Sequence, residues 1–382
     1  MKRVMLFLLI CSVFLSSGCD TVEINAAAVP LGLAMDYQNG QSTVIVQLAQ
    51  TTSPSSGGSS NEPKFQVLSA QGGSIAEAAR KIMLELPRLP LWSQAGVLVV
   101  GEDLANTDLA LLADFLARNR NVRKNIPVFV TIGAKPQQVF QTQAPLEDYS
   151  ARALSGILEA QRYQLGYYEP VELNEFLQKL ASPGVEPVLP QVRLVEEDGK
   201  KMITLDGLAV FHGRKMVGSL NENQSRGYRW LRSGIIQGGL IVIPSPLSAD
   251  RHITLELLRS QATVVPDVQG NHVTVHIKIK AEGNFYESDD PNEILTLDGL
   301  HQVEENGEEA IKAQITDSVQ EAHRLHSDIF GWGQNLAASH PQEWKSLEGN
   351  WEQIFPMIQP DIQVEFNIRR TYLTYKTFPL KE

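Results

Sequence analysis

Residues 272–280 read His-Val-Thr-Val-His-Ile-Lys-Ile-Lys, and the apolar residues of this stretch stand at every second position: Val273, Val275, Ile277 and Ile279. Successive side chains of a strand point to opposite faces, so this alternation predicts a half-buried strand of the kind common in antiparallel sheets. Residues 361–370 alternate in the same way. Both stretches therefore predict a sheet with one buried face, which needs a covering layer.

A long helix is predicted to supply that layer, from about Gly307 to Ala338, with a break near Gly331 and Gly333. Its apolar residues recur at helical spacing: Ile311, Ile315, Val319, Ala322 and Ile329. Strands are also predicted at 203–211, 240–243 and 253–258, with no helix among the strands between Ile203 and Ile279. This part of the chain is predicted to be an α+β layer structure.

The residues before 200 predict a mixed α/β order. Strands are expected at 42–50, 95–100 and 126–132, and helices at 75–86, 108–118, 150–167 and 173–180. The proline-rich residues 183–190 are interpreted as a connection. We expect a multidomain α+β protein of mixed α/β layers with largely antiparallel sheets: an N-terminal α/β region of one or two domains at 19–200 and a C-terminal α+β domain at 201–375.

The first residues have the pattern of a lipoprotein signal peptide at 1–18. Lys2 and Arg3 precede an uncharged apolar run over residues 4–15, and small residues, ending in Gly18, lead into Cys19. The run is too short to span a bilayer, which takes roughly 20 helical residues. We predict cleavage between Gly18 and Cys19, with diacylglyceryl and N-acyl groups on Cys19. The alternative is an ordinary signal peptide in which the cysteine occurs by chance.

Cleavage would discard Cys11, the other cysteine of the sequence, and leave no thiol apart from the lipidated one. This excludes disulfides and cysteine metal sites. A single acyl chain binds membranes only marginally, whereas a diacylglyceryl cysteine supplies the two chains that stable anchoring needs. We therefore expect the mature chain to be held at the outer face of a membrane.

The net charge limits the classes of partner, and the chain length limits the number of domains. The formal charge is -11, and loss of Lys2 and Arg3 makes it -13. Such a chain is repelled by phosphate backbones, so nucleic acid is not an expected partner. Removing 18 of the 382 residues leaves 364, which is enough for two or three domains at about 150 residues per domain.

Motifs of catalysis are missing from the sequence, which contains no GxSxG, HExxH or CxxC pattern. Gly213 and Gly218 have the glycine spacing of a P-loop, but Ser219 stands where its lysine is required. We interpret Gly213 as the turn of a hairpin. No catalytic residue and no cofactor is predicted, and the protein is expected to bind rather than catalyse.

One cluster has the composition of a metal site, namely Glu321, His323 and His326 on the long helix. At these spacings only His323 and His326 share a helix face, so no metal site is predicted.

Two further groups could form contact surfaces. Arg118, Arg120 and Arg123 form a basic spot that could meet an acidic partner, or they could be solvated cations at a helix C-terminus. Trp332, Trp344 and Trp351 could form a docking surface, but core is the favoured interpretation.

Four segments together resemble the Ger(x)C lipoproteins, the C subunits of nutrient germinant receptors in spore-forming bacteria. The first contains the residues around Cys19, Glu23-Ile24-Asn25 and Gly32-Leu33-Ala34-Met35-Asp36, and the second contains Val99-Val100-Gly101-Glu102-Asp103-Leu104-Ala105 and Phe115-Leu116-Ala117-Arg118. The third contains residues 205–211 and 215–220. The fourth contains Asp328-Ile329-Phe330-Gly331-Trp332-Gly333, followed by Pro341, Trp344 and Trp351. Asp20, Asn119 and Asn121 depart from the family's usual residues.

The resemblance implies a family-specific arrangement of three mixed α/β domains and a non-catalytic role. It implies a subunit on the outer face of the spore inner membrane, assembled with two integral-membrane subunits of the A and B types and required for nutrient-triggered germination. The alternative we considered is a solute-binding lipoprotein of a membrane transporter, and a third is an anchored hydrolase. The predicted strands without intervening helices count against the solute-binding fold, which alternates strand and helix.

Overall fold

Two large sheets organise the chain in the computed structural model, which describes residues 26–50, 64–270 and 272–371. The strands are β1 (Ala27–Ala28), β2 (Pro30–Gln38), β3 (Gln41–Ala49), β4 (Phe65–Gly72), β5 (Leu89–Pro90), β6 (Val97–Val100), β7 (Val128–Thr131), β8 (Val188–Glu197), β9 (Lys200–His212), β10 (Lys215–Leu220), β11 (Ile235–Ile236), β12 (Leu240–Pro244), β13 (His252–Gln269), β14 (His272–Ser288) and β15 (Asp361–Arg370). The helices are α1 (Ile75–Lys81), α2 (Glu102–Thr107), α3 (Ala110–Arg118), α4 (Pro136–Gln141), α5 (Ser150–Gln164), α6 (Leu173–Ala181), α7 (Glu222–Trp230), α8 (Leu297–Arg324), α9 (Trp332–Ser339), α10 (Pro341–Leu347) and α11 (Trp351–Ile354).

The first sheet has eight strands in the order β10-β9-β8-β7-β6-β2-β3-β4. Its central strands β2, β6, β7 and β8 pair in parallel, and both flanks are antiparallel. β6 is buried along its whole length, as expected for a strand covered on both faces. Val97 and Val99 pack with α4 and α5, whereas Leu98 and Val100 pack with α1, α2, α3 and α6.

The second sheet is built on the hairpin of β13 and β14, with β11 and β12 beside β13 and β15 beside β14. The four apolar residues of the 272–280 stretch are buried, as are Ile311, Ile315, Val319 and Ala322 of α8, all in one core. The α+β class with a long C-terminal helix is confirmed. β15 runs parallel to β14, however, so alternation predicted its half-buried face but not its direction.

The bounds of three predicted elements were wrong. α8 begins ten residues before Gly307, because the Thr296 hydroxyl accepts a hydrogen bond from the amide of Gly299 at 3.1 Å and caps the helix there. It ends at Arg324 and does not continue to Ala338. β13 extends to Gln269 because it remains paired with β14, and residues 188–190 of the supposed connection belong to β8.

The predicted absence of helices between Ile203 and Ile279 was also wrong, because α7 lies there. Asn221 caps this helix: its side chain accepts from the amide of Gln224 at 2.9 Å, and the Gln224 side chain accepts from the Asn221 amide at 3.0 Å. Gly227 lets α7 approach α8 closely, since a Cβ there would lie 2.0 Å from the carbonyl oxygen of Gln314. The sequence signal was the Asn221–Gln224 capping pattern.

The predicted boundary near residue 200 falls within a hairpin of the first sheet. β8 and β9 pair from Glu197 and Lys200 outward, with Asp198 and Gly199 at positive φ between them. The sheet then continues through β10. The division into 19–200 and 201–375 remains a prediction.

The three tryptophans belong to the core, as favoured. Trp332, Trp344 and Trp351 are at most 8% exposed. Asp328, buried beside them, accepts hydrogen bonds from the amides of Trp332 and Gly333 at 3.1 and 2.8 Å and from the indole of Trp351 at 3.0 Å. Burial raises the pKa of Asp328 to about 6, against these donors. The carboxylate therefore organises the turn between α8 and α9.

His323 packs edge-on against Phe355 in the same cluster, with ring centroids 4.9 Å apart. Burial, and then the neighbouring His326, lower the pKa of His323 from 6.5 to about 4. A histidine with a lowered pKa contributes stability that is complete above about pH 6.5 and is lost as the pH falls toward 4. Asp328 acts in the opposite direction, because its pKa is raised from 3.8 to about 6. The stability that it contributes is complete below about pH 3.8 and is lost as the pH rises toward 6.

We therefore predict a pH-dependent difference between the protein and its His323→Leu variant. From pH 7 to pH 4 the parent should lose about 2–3 kcal/mol of unfolding free energy relative to the variant, because one pKa unit corresponds to about 1.4 kcal/mol. Urea unfolding of both proteins across this range measures it. If the unfolding free energies of the two proteins changed in parallel with pH, burial of His323 would make no contribution to the pH dependence of stability.

Candidate functional site

A cleft of about 430 Å³ lies where the two sheets meet. Its walls come from α6, from the end of α7, from β13 and from the turn that follows α8. Residues of both halves of the chain thus surround one cavity. Such junctions are common positions for ligand pockets.

The polar wall of the cleft is a network of four side chains. Arg232 donates to both carboxylate oxygens of Glu175, at 2.8 and 2.9 Å. The Lys179 ammonium lies 3.1 Å from Glu175 and donates to the Tyr228 hydroxyl at 3.1 Å. Burial alone would favour protonation of Glu175, but Arg232 and Lys179 outweigh it and hold the pKa of that carboxyl below its usual range.

Helix geometry explains most of this arrangement. Glu175 and Lys179 stand four residues apart on α6, and therefore on one face of the helix. Arg232 follows the end of α7, one turn beyond Tyr228, so α7 brings both to the same place. The facing wall is apolar and amide-bearing, with Val264, Phe330, Gln334 and Asn335.

The cleft carries two cations and one anion, so its polar wall has a formal charge of +1. Charged groups on one wall and apolar and amide groups on the facing wall suit a small polar molecule. The network also ties α6 to α7. The four network residues were not predicted from the sequence. Glu175 and Lys179 show the i, i+4 signal, but nothing in the sequence pairs Glu175 with Arg232, 57 residues away.

We predict that Arg232→Ala lowers the unfolding free energy by about 2–4 kcal/mol, because it leaves Glu175 largely buried without its bidentate partner. The matched control is Arg259→Ala. Arg259 makes a similar bidentate pair with Glu282, at 2.9 Å for both contacts, but it is largely exposed. The control should lose clearly less, because water screens an exposed ion pair and can solvate the carboxylate that is left behind. If both variants lost the same unfolding free energy in denaturant, the network would not be what holds α6 to α7.

The predicted basic spot lies in another part of the structure, at the end of α3. Arg118 pairs with Asp114 at 2.8 Å, one turn earlier on the helix. Arg118 and Arg120 border a second cleft, of about 630 Å³, whereas Arg123 is exposed but is not among its lining residues. Lys124 donates to the carbonyls of Leu116 and Asn119 and so caps the helix C-terminus. Their role in partner contact remains a prediction.

The structure separates the side chains of the metal-like cluster. Glu321 pairs with Arg324, His323 packs against Phe355, and His326 lies 3.3 Å from the carbonyl of Glu352. Within residues 26–50, 64–270 and 272–371, no three or more His, Cys, Asp or Glu side chains are grouped so as to hold a metal ion.

The predicted anchor, with Gly18 and Cys19, lies outside the described residues. In the part of the chain that the structure describes, no helix has both the length and the apolar character needed to cross a bilayer.

Two family models match almost the whole chain beyond the predicted signal peptide. The model described as "Spore germination protein N-terminal domain" matches residues 20–194, and "Spore germination B3/ GerAC like, C-terminal" matches residues 206–372. Residues 195–205 lie between the two matches.

Similar proteins align with nearly the whole chain. Spore germination protein KC of Bacillus subtilis (strain 168) is 23% identical, over 97% of this chain and 96% of the relative. Spore germination protein B3 of the same organism is 23% identical over 92% and 93%. The crystal structure of the GerBC protein matches with a TM-score of 0.58 at 18% identity, covering 88% of this chain and 96% of that one. The chain belongs to the Ger(x)C family of spore germination proteins.

Proposed function

We propose that this chain is the lipid-anchored, non-catalytic C subunit of a nutrient germinant receptor, required for nutrient-triggered spore germination. One observation carries the proposal: the N-terminal family match begins at residue 20, directly after Cys19. The match of the family model thus starts at the residue after the predicted lipidation site, which supports a mature chain that begins at Cys19. The two family models match residues 20–194 and 206–372, and the signal pattern lies directly before the first of these matches.

In this proposal the protein lies on the outer face of the spore inner membrane and assembles with two integral-membrane subunits, of the A and B types. The diacylglyceryl group on Cys19 supplies the membrane attachment. The acidic folded part, with its formal charge of -13 after processing, has no electrostatic attraction to an anionic lipid surface. Lipid and protein partners must therefore hold it in place.

Co-purification tests the assembly. The chain would carry a C-terminal affinity tag and be captured from detergent-solubilised spore inner membranes. We expect two polytopic membrane proteins to be captured with it in fixed ratio. Capture of a transport permease and its ATPase, in place of such a pair, would support the solute-binding lipoprotein instead.

The solute-binding alternative retains one supporting observation, the charged cleft between the sheets. Thermal unfolding of the purified chain with panels of amino acids, sugars and peptides separates the two functions. A receptor subunit that does not itself hold the nutrient should show no shift. A saturable stabilisation that Arg232→Ala abolishes would instead assign the cleft to solute binding.

A further inference from the structure

One end of the eight-stranded sheet carries the beginning of the described chain. β1 pairs in parallel with β5, so that Ala27 lies beside Leu89. The amide of Ala49, at the end of β3, donates to the carbonyl of Val29 at 3.0 Å. The first described residues are thus fixed to the rim of the sheet.

The same rim includes a loop that is distant in sequence. Gln50 donates to the carbonyl of Lys64 at 2.9 Å, and the Lys64 ammonium pairs with Asp148 at 3.0 Å. Asp148 belongs to the loop between α4 and α5, which contains Leu146. The loop around Leu146 and the start of the chain therefore share one end of the molecule.

Three leucines at this end project into solvent. Leu146 is fully exposed, Leu84 is 84% exposed and Leu89 is 54% exposed. Leu84 stands five residues before Leu89, and Leu146 has a left-handed backbone (φ 65°), which is uncommon for a residue with a side chain. Single exposed leucines are ordinary, but three around one rim suggest a contact surface. We call Leu84, Leu89 and Leu146 the leucine rim.

The short segment between Cys19 and Ala26 limits how far the membrane can lie from the leucine rim. Seven residue steps separate Cys19 from Ala26, and an extended chain spans at most about 3.6 Å per residue, so the lipid lies within about 25 Å of Ala26. The opposite end of the sheet is farther away, since the nine residues of β2 rise about 3.3 Å each. The anchor therefore favours membrane contact at this end of the sheet over contact at the opposite end.

We propose that the leucine rim inserts into the interfacial region of the bilayer and sets the orientation of the folded part on the membrane. The inference rests on the lipid anchor of the proposed function. In this orientation the cleft beside Arg118 and Arg120, at the other end of β2 and β3, faces away from the lipid and remains open to partners. The net negative charge of the chain gives no electrostatic attraction to lipid headgroups, so the apolar side chains of the leucine rim supply the attraction to the bilayer.

Single-cysteine labelling tests the inference, because the mature chain has no other free thiol. The lipidated mature protein would carry Leu84→Cys, Leu89→Cys or Leu146→Cys, labelled with an environment-sensitive fluorophore, on neutral phosphatidylcholine vesicles. The matched control is Leu297→Cys, since Leu297 is 85% exposed but begins α8, which covers the other sheet. We expect blue-shifted emission at the three rim positions and quenching by brominated acyl chains. The control should show neither.

The outcomes distinguish the two proposals. If the protein co-sediments with vesicles while the rim probes remain as aqueous as the control, the anchor stands and membrane insertion of the rim is wrong. If it does not co-sediment, the anchor fails and the inference fails with it. Rim probes that are shielded from lipid quenchers in native spore membranes, and that cross-link there to a protein, would assign the rim to a partner and overturn the proposal.

Discussion

The Asp328→Ala variant should lose about 3–5 kcal/mol of unfolding free energy at neutral pH, because it leaves three buried donors without an acceptor. These donors are the amides of Trp332 and Gly333 and the indole of Trp351. An unsatisfied buried donor costs about 1–3 kcal/mol. Water can reach few of these groups, since Asp328 is 4% exposed and Trp332 is fully buried.

The control for this prediction is Asp317→Ala, on α8. Asp317 accepts one exposed hydrogen bond, from Asn223 at 2.8 Å, so its loss should cost less than about 1 kcal/mol. Urea unfolding followed by tryptophan fluorescence measures both variants. Losses that agree within about 0.5 kcal/mol, the range of ordinary surface substitutions, would contradict the role assigned to Asp328.

The second large effect is expected from Cys19→Ala, which should move the protein from the membrane fraction to the soluble fraction of spores. Without the thiol no diacylglyceryl group can be attached, and each buried methylene that is lost removes about 0.8 kcal/mol of membrane affinity. Fractionation followed by immunodetection measures the distribution. The control, Cys11→Ala, changes the other cysteine, within the predicted leader, and should leave the protein membrane-bound.

Retention of Cys19→Ala at the parent level would mean that protein partners suffice to hold the chain at the membrane. The two variants together also test processing. If Cys11→Ala were released and Cys19→Ala retained, the predicted assignment of the two cysteines would be wrong.

Local periodicity predicted much of the fold correctly. The alternation through Val273 and Ile279 identified the half-buried strand, and the spacing of Ile311 and Ile315 identified the face of the long helix. These patterns are local because each reflects which side of one element is buried. The ends of elements were less predictable: Thr296 caps α8 well before its regular apolar run, and no apolar periodicity announced α7.

Pairing across long sequence separations could not be predicted in this way. The direction of β15 relative to β14 and the bidentate contact of Arg232 with Glu175 depend on how distant segments pack. The acceptor role of Asp328 was missed for a different reason. Its donors lie four, five and 23 residues away, and a lone aspartate before an aromatic segment has no characteristic spacing. Family resemblance, by contrast, identified the class of protein from segments that local physics leaves unexplained.

Germination of spores that lack this gene tests the central claim most directly. The spores would be exposed to separate amino acids, sugars and nucleosides, and germination would be followed by loss of optical density. We expect loss of the response to one nutrient class, restored by the parent gene, with normal germination on the others. An unchanged response to every nutrient, in a strain that also lacks its other Ger(x)C genes, would contradict the assignment of this chain as a receptor subunit.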